Sequence, residues 1–376
     1  MDYSKAAIKL HKKHQGKIEI KSKIKLKTKQ DLSLAYTPGV GAVSMAIFKD
    51  KKKSWELTNR SNQVAVVSDG TAILGLGNIG AEAGVPVMEG KSAIFKEFAN
   101  IDAIPLCINT TDPEEIIKFC KLIEPNFAGI NLEDISAPRC FEITKRLEKE
   151  LNIPVFHDDQ DGTAIVTLAA LINACRVTGK VIIELKIVIN GAGAAGIATA
   201  KILLSQGVKD IILIDSKGAI YSGRTDLNIF KKEMAKKTNL QKIKGYKEEV
   251  LIGADVFIGL SKPKQLTAKM IKTMAKNPII FPMANPTPEI MPEIALKAGA
   301  SVVGTGRSDF PNQINNALVF PGIFRGFLDH RKKLTNQMKL SIAISLAYLV
   351  KKPTKNKILP FITNKKIVKT IARAMK

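Results

Sequence analysis

KIVINGAGAAGIATAKILLSQ, residues 186–206, carries the strongest fold signal in the chain. The apolar run Lys186–Asn190 reads as a buried strand, Gly191-Ala-Gly193-Ala-Ala-Gly196 as a turn, and about Ile197–Gln206 as an uninterrupted helix of small and aliphatic residues. A second apolar run, Asp210–Ile214, ends in Asp215. A dinucleotide needs this context. The first glycine makes the tight turn, and Gly193 lets the backbone approach the pyrophosphate. Gly196 lets helix and strand close up, and an acid at the end of the second strand can accept the ribose 2′-hydroxyl. The competing reading is an ordinary glycine-rich strand-to-helix turn. Asp215 favours NAD, because it would repel a 2′-phosphate, while the nearby Lys217 keeps NADP open.

The same GxGxxG pattern occurs at Gly75-Leu-Gly77-Asn-Ile-Gly80, so the bare pattern cannot choose between the two. There, Gly84 and Pro86 follow within six residues, and the expectation is that no long helix grows from that turn. Upstream of residue 186 the chain alternates apolar runs with helical patterns. Val64–Val67 reads as a buried strand, as do Ile101–Ile108, Phe127–Leu132 and Ile153–Phe156. Thr110-Thr111-Asp112-Pro113-Glu114-Glu115 is a helix start with a capping acid, a proline in the first turn and acids at the positive end of the dipole. A charged helix spans about residues 138–151. Beyond residue 215, Asp255–Leu260 and Ile279–Ala284 read as further strands, the latter running into Asn285-Pro286. The alternation implies βαβ units and parallel sheets, an α/β fold whose ligands bind beyond the carboxyl ends of the strands.

Two of those strands end in acids. Phe127–Leu132 runs into Glu133-Asp134, and Ile153–Phe156 into His157-Asp158-Asp159. A single right-handed crossover joins them, which makes them neighbours. Glu133, Asp134 and Asp159 can then converge on one point, where a divalent cation would relieve their repulsion. All-oxygen ligation favours Mg²⁺ or Mn²⁺ over zinc. Acids that merely cap the following helices are the alternative. The cluster Asn312-Gln-Ile-Asn315-Asn316 suits a substrate carboxylate, or equally a turn.

Composition bounds the rest. At 376 residues the chain is long enough for two domains or three, and 45% apolar residues can fill real cores. The longest apolar candidate, Leu340–Val350, is broken by two serines and too short for a membrane span, and no secretory signal is visible. A soluble cytoplasmic protein is the expectation. Cys107, Cys120, Cys140 and Cys175 show no CxxC pairing and no histidine at metal-ligand spacing, which argues against zinc ribbons, disulfide frameworks and iron–sulfur ligation. The charge balance, 58 − 34 = +24, invites a nucleic-acid partner. The excess is scattered lysine with few aromatics, so solvated lysine faces are preferred and no nucleic-acid partner is expected. A positive field would still attract small anionic substrates.

With these residues in view, the chain resembles the malic enzymes of the short, prokaryotic type from about Leu34 to Gly326. The resemblance is carried by Ala35–Gly41 (AYTPGVG), Ser68–Gly70 with Ile73–Gly80, Pro86–Phe95 (PVMEGKSAIF), Asn131–Pro138 (NLEDISAP) and His157–Ile165 (HDDQDGTAI). It continues through the Gly191–Gly196 turn, Asp215–Arg224 (DSKGAIYSGR), Asn285–Glu289 and Phe310–Gly322. It implies an N-terminal α/β malic-type domain (residues 1–160), a Rossmann-like doubly wound NAD(P)-binding domain (161–330) and a C-terminal helical tail (331–376). It implies a homodimer that converts malate and NAD(P)⁺ to pyruvate, CO₂ and NAD(P)H. Tyr36 would be the general acid and Lys91 the general base. Glu133, Asp134 and Asp159 would hold Mg²⁺ or Mn²⁺, Asn285 and Asn315 would contact substrate, and Asn285 would also border the cofactor. Malolactic chemistry and metal-dependent oxaloacetate decarboxylation are the alternatives within reach of the same residues. Two positions depart from the common pattern. Thr71-Ala72 stands where longer members carry an arginine, and Asp161 replaces a more usual His or Gln beside the metal acids, where it is expected to shift metal affinity or pH optimum.

Overall fold

The computed structural model describes residues 3–376. Two parallel sheets organise the chain. The first contains β1 (Gln63–Ser68), β2 (Asp102–Cys107), β3 (Gly129–Leu132) and β4 (Val155–His157), in the order β2-β1-β3-β4. The second contains β5 (Lys186–Asn190), β6 (Asp210–Asp215), β7 (Gly218–Ala219), β8 (Val256–Gly259), β9 (Ile279–Pro282) and β10 (Val302–Val303), in the order β10-β9-β8-β5-β6-β7. Only the short β6–β7 hairpin is antiparallel. Val64–Val67 in β1 and Ile187–Ile189 in β5 are fully buried, because helices cover both faces of a parallel sheet and leave no polar side to the strand. The α/β class with a doubly wound second sheet is the one the sequence implies.

In the first sheet, β3 and β4 are hydrogen-bonded neighbours with Leu132 opposite His157, so the acids that follow each strand leave the sheet side by side. In the second, β5 lies between β6 and β8, and the chain reverses its direction of travel there. That reversal opens a crevice at the carboxyl end of β5. Both sheets thus present their ligand-binding edges as adjacent walls.

The helices follow their sequence signals with one exception. α1 (Tyr3–His14), α2 (Lys29–Ala35), α3 (Gly39–Lys49) and α4 (Ser54–Leu57) precede β1, and none of them buries a residue. The exception is α5, a 19-residue helix from Ala81 to Ala99 that grows from the Gly75–Gly80 turn despite Gly84 and Pro86. The expectation that no long helix follows that turn is therefore wrong. Pro86 removes one amide donor, but Met88, Lys91, Ser92 and Phe95 are buried along the helix, and that packing outweighs one lost hydrogen bond. Gly84 serves the packing, since a Cβ there would lie 3.2 Å from Ile73. Next come α6 (Pro113–Ile123), capped by the Asp112 side chain, α7 (Arg139–Glu150), and α8 (Thr163–Thr178), a mostly buried helix linking the two sheets. α9 (Ala194–Ser205) follows β5, and α10 (Ile229–Ala235) follows β7.

The last third of the chain folds back on both halves. Phe320 and Phe324, on the helix Phe320–His330, stack against Phe95 of α5, and Phe324 also meets Phe156 of β4 edge-on. The helix Asn336–Tyr348 packs on α8 and α9, and Lys366–Arg373 packs on Phe320–His330, where Gly322 leaves room for Ile371. All four cysteines are free thiols, three of them buried. Among the described residues no helix is long and apolar enough to cross a membrane.

Candidate active site

A cavity of about 730 Å³ opens between the carboxyl edges of the two sheets. Lys91, Glu133, Asp134 and Asp159 line one wall, and Gly193, Ala194 and Leu260 line the other. Asn285 and Asn315 lie on the same cavity. Of the residues picked out by sequence, the structure brings all of these together; Tyr36 and Asp215 stand apart from it.

The acidic wall is built by chain geometry. Glu133 leaves β3 with its amide donating to the Val67 carbonyl of β1 at 2.9 Å. Asp134 follows in the left-handed region (φ 53°), a conformation short polar residues tolerate, and its amide donates to Asp159 Oδ2 at 2.8 Å. One carboxylate oxygen from each of Glu133, Asp134 and Asp159 lies within 4.8 Å of the others. Asp134 Oδ2 is buried with no hydrogen-bond partner. An orphaned carboxylate oxygen inside a three-acid cluster fits a hard divalent cation.

Lys91 projects from α5 into the same cluster. Its Nζ is 2.5 Å from Glu133 Oε2 and donates to Asp158 Oδ2, and it sits 4.4 Å from the centre of the Phe320 ring. Asp158 is fully buried, and sequence reasoning did not single it out although it stands in the same acidic pair as Asp159. It is held in a π-helical turn, Asp158–Gly162, where a Cβ at Gly162 would collide with Asp158 Oδ1. A glycine four residues after a strand-end acid was the available signal.

Burial without enough counter-charge dominates the electrostatics. Burial, with Asp159 and Glu133 adding repulsion, pushes the Asp134 carboxyl up to about 9. Burial raises Glu133 to about 7, although Lys91 pulls the other way. Burial likewise raises Asp158 to about 7 and Asp159 to about 6. For Lys91, burial would lower the ammonium, but Asp158, Glu133 and Asp159 outweigh it and hold the proton more tightly than usual. His157, sealed beneath the site, is pushed down to about 4 by burial and stays neutral. The cluster lacks positive charge.

The opposite wall is the glycine turn. Gly191 (φ 126°) hugs the next strand end, where a Cβ would come within 2.4 Å of the Leu260 carbonyl oxygen. At Gly196 a Cβ would lie 1.7 Å from the Gly191 carbonyl oxygen, so helix and turn touch only because Gly196 lacks a side chain. Gly193 faces open space at the start of α9. The backbone shows the close approaches expected of Gly191 and Gly196 and leaves Gly193 open toward the cavity.

Other expected residues sit differently. Asp161 turns away from the acids, and its Oδ1 accepts from Lys339 Nζ at 2.6 Å, so its charge is compensated on the far side of the turn. Thr71, of the Thr71-Ala72 pair, lies beside the guanidinium of Arg139 of α7, which does not line the cavity. Its Nη2 donates to Thr71 Oγ1 at 3.0 Å and to Ser136 Oγ at 2.9 Å, and it pairs with the buried Asp69 at 3.1 Å. Asn315 lines the cavity, but its Oδ1 accepts from the Ala317 amide at 2.8 Å, capping a short turn, and its Nδ2 donates to the Gly306 carbonyl at 3.4 Å. Tyr36, at the end of α2, is 67% exposed and does not line the cavity. Asp215 is already engaged by Arg224 and Lys231 and is not the bare acceptor the sequence suggests.

Two parallel α/β units, one ending in clustered acids with a buried lysine and the other in a dinucleotide-type glycine turn across one cavity, define a nucleotide-dependent oxidoreductase class. Comparison with known proteins narrows this. The N-terminal domain of malic enzymes matches residues 15–148, and the malic enzyme NAD binding domain matches residues 160–376. A bifunctional malic/malolactic enzyme of Bacillus subtilis is 54% identical over all of this chain and 92% of its own. An NAD-dependent malic enzyme of Geobacillus stearothermophilus is 54% identical over 96% of this chain and 76% of its own. The crystal structure of an NAD-dependent malic enzyme from Thermotoga maritima superposes with a TM-score of 0.95 at 47% identity, covering 98% of both chains. The chain belongs to the malic enzyme family, whose members are NAD(P)-dependent oxidoreductases.

Proposed function

We propose that the chain catalyses the oxidative decarboxylation of malate to pyruvate and CO₂ with reduction of NAD(P)⁺, and that it needs a divalent cation. The observation that carries this reading is the single cavity where Lys91 meets Glu133, Asp134 and Asp159 opposite the Gly191–Gly196 turn. Glu133, Asp134 and Asp159 would hold Mg²⁺ or Mn²⁺, which supplies Lewis acidity toward the C2 oxygen of malate when bound.

Lys91 is the base for the C2 hydroxyl proton as hydride leaves C2 for the nicotinamide. To act so it must first lose its own proton, which Asp158 and Glu133 now stabilise. Asp158 is placed to take that proton, because it touches Lys91 and its carboxyl is already raised to about 7. The Asn285 and Asn315 amides orient the substrate at the cavity mouth. Tyr36 returns a proton to C3 after CO₂ departs. The atoms balance: malate loses a hydride and CO₂, and the hydroxyl proton is made up at C3.

Tyr36 needs a partner to do this. It lies in the segment 3–57, which leaves Ile20 97%, Phe48 78% and Leu34 69% exposed. Exposed apolar side chains of this kind suit an interface, and a second copy of the chain would cover them. Closure of the homodimer would bring Tyr36 against a cavity.

The test is absorbance at the reduced-nicotinamide band with malate, Mn²⁺ and each cofactor in turn, followed by product analysis. Pyruvate formed in step with reduced cofactor supports the proposal. Lactate without net reduced cofactor would indicate malolactic chemistry, the second activity in the name of the Bacillus subtilis relative. Decarboxylation of oxaloacetate with malate untouched would leave only the decarboxylase reading.

A further inference from the structure

The turn Asp158–Gly162 separates two cavities. Asp159 lines the one that holds the acids, while Gln160 and Asp161 line a second of about 550 Å³, together with Thr144 of α7 and Lys339. A π-helical turn is an uncommon backbone state, and side chains on its far side hold this one. Gln160 Nε2 donates to Thr144 Oγ1 at 3.2 Å. Asp161 Oδ1 accepts from Lys339 Nζ at 2.6 Å, with the acid 15% and the lysine 19% exposed. Lys339 stands near the start of the helix Asn336–Tyr348, which packs on α8 and α9 and so gives the ammonium a fixed anchor.

Asp158, Asp159 and Asp161 crowd three acids into one short turn. Asp161 adds repulsion at Asp158 and at Glu148 of α7, and Lys339 offsets it at Glu148. Without that ammonium the Asp161 carboxylate would gain by turning out to water, and the turn would follow it. Asp159 lies two residues earlier on the same turn, and its Oδ2 accepts from the Asp134 amide at 2.8 Å. A shift of the turn therefore displaces one acid of the cluster relative to the others. Groups that hold a metal ligand in orientation set the affinity for the ion. We propose that Lys339 is a positioning residue for the cation site: it clamps Asp161 from behind, and through the turn it keeps Asp159 in register with Glu133 and Asp134. The proposal rests on the reading of these three acids as the ion's ligands, and it gives the C-terminal segment a part in metal binding that this reading does not assign.

Mn²⁺ binding to the full chain, read from the loss of the free-ion electron spin resonance signal, tests this without turnover. Lys339→Met and Asp161→Asn change the local charge in opposite directions. A clamp predicts that both weaken Mn²⁺ binding by about tenfold, the lower end of what a residue holding a ligand contributes. Asp161→Asn is isosteric with the native residue and carries the test if Lys339→Met fails to fold. The double variant should bind no more weakly than either single one, because both remove the same contact, and Lys339→Arg should retain most of the wild-type affinity. Lys333→Met is the control for the C-terminal segment as a whole. Lys333 Nζ ties that segment to the Glu148 and Leu151 carbonyls at 2.6 and 2.7 Å rather than to the turn, so this variant should bind Mn²⁺ as the wild type does. Tighter binding in Lys339→Met with weaker binding in Asp161→Asn would show a charge effect alone and overturn the proposal. So would unchanged affinity in both, or an equal loss in Lys333→Met. Wild-type chain that binds no Mn²⁺ would instead overturn the metal reading, and the clamp with it.

Discussion

Adding Mn²⁺ to metal-free protein should eject protons, and the number follows from the site. A carboxylate binds a cation only when ionised. At pH 7 the Asp134 carboxyl, raised to about 9, is almost wholly protonated; Glu133, near 7, is half protonated; and Asp159, near 6, is mostly ionised. Binding should therefore release roughly one and a half protons per ion at pH 7. At pH 9 only Asp134 still holds a proton half the time, and the release should fall to roughly half a proton. Titration calorimetry in two buffers of different ionisation enthalpy measures the number directly. Any proton lost by Lys91, as its acids turn to the metal, would add to it. Release near zero at pH 7, or release that grows with pH, would refute the claim that these acids are buried short of counter-charge and are the ion's ligands.

Three further outcomes follow from the same geometry. Lys91→Met should cut malate oxidation by at least about a thousandfold, measured by reduced-cofactor formation, while dinucleotide binding persists; near-native turnover would remove Lys91 from the chemistry. Without metal, stability should decline as pH rises from about 5 to 9, because acids whose folded pKa values lie above their unfolded ones bind more protons when folded than unfolded through that window; denaturant midpoints across pH check this, and saturating Mn²⁺ should flatten the curve. Mixing and refolding inactive Tyr36→Phe and Lys91→Met chains in equal amounts should restore roughly a quarter of wild-type activity if a second copy supplies Tyr36, since half the dimers are mixed and each carries one complete site. No recovery would place Tyr36 and Lys91 in the same chain's site.

The glycine turn and the acidic strand ends were legible because backbone rules fix them. Gly191 and Gly196 stand where any side chain would strike a carbonyl oxygen, and Glu133 and Asp159 follow neighbouring parallel strands in register, so position along the chain was enough. α5 was misread because Gly84 and Pro86 are helix breakers only until burial of Met88, Lys91 and Phe95 outweighs them. Lys91 itself carries no local signal, since only the fold brings it beside Asp158. Asp215 and Asp161 have partners that position along the chain does not reveal. Their charges are cancelled by Arg224, Lys231 and Lys339, three residues 9, 16 and 178 positions away, and a sequence reading of an acid supplies no partner at such distances. In the N-terminal segment, by contrast, apolar residues such as Ile20, Leu34 and Phe48 stay exposed in the single chain.

Glu133, Asp134 and Asp159 are proposed to share one cation opposite the dinucleotide turn, and crystals soaked in Mn²⁺ and measured at its absorption edge decide it. A single anomalous peak should appear, bonded to an oxygen from each of the three acids; a peak elsewhere, or none while malate oxidation proceeds undiminished in chelator, would rule out the shared site.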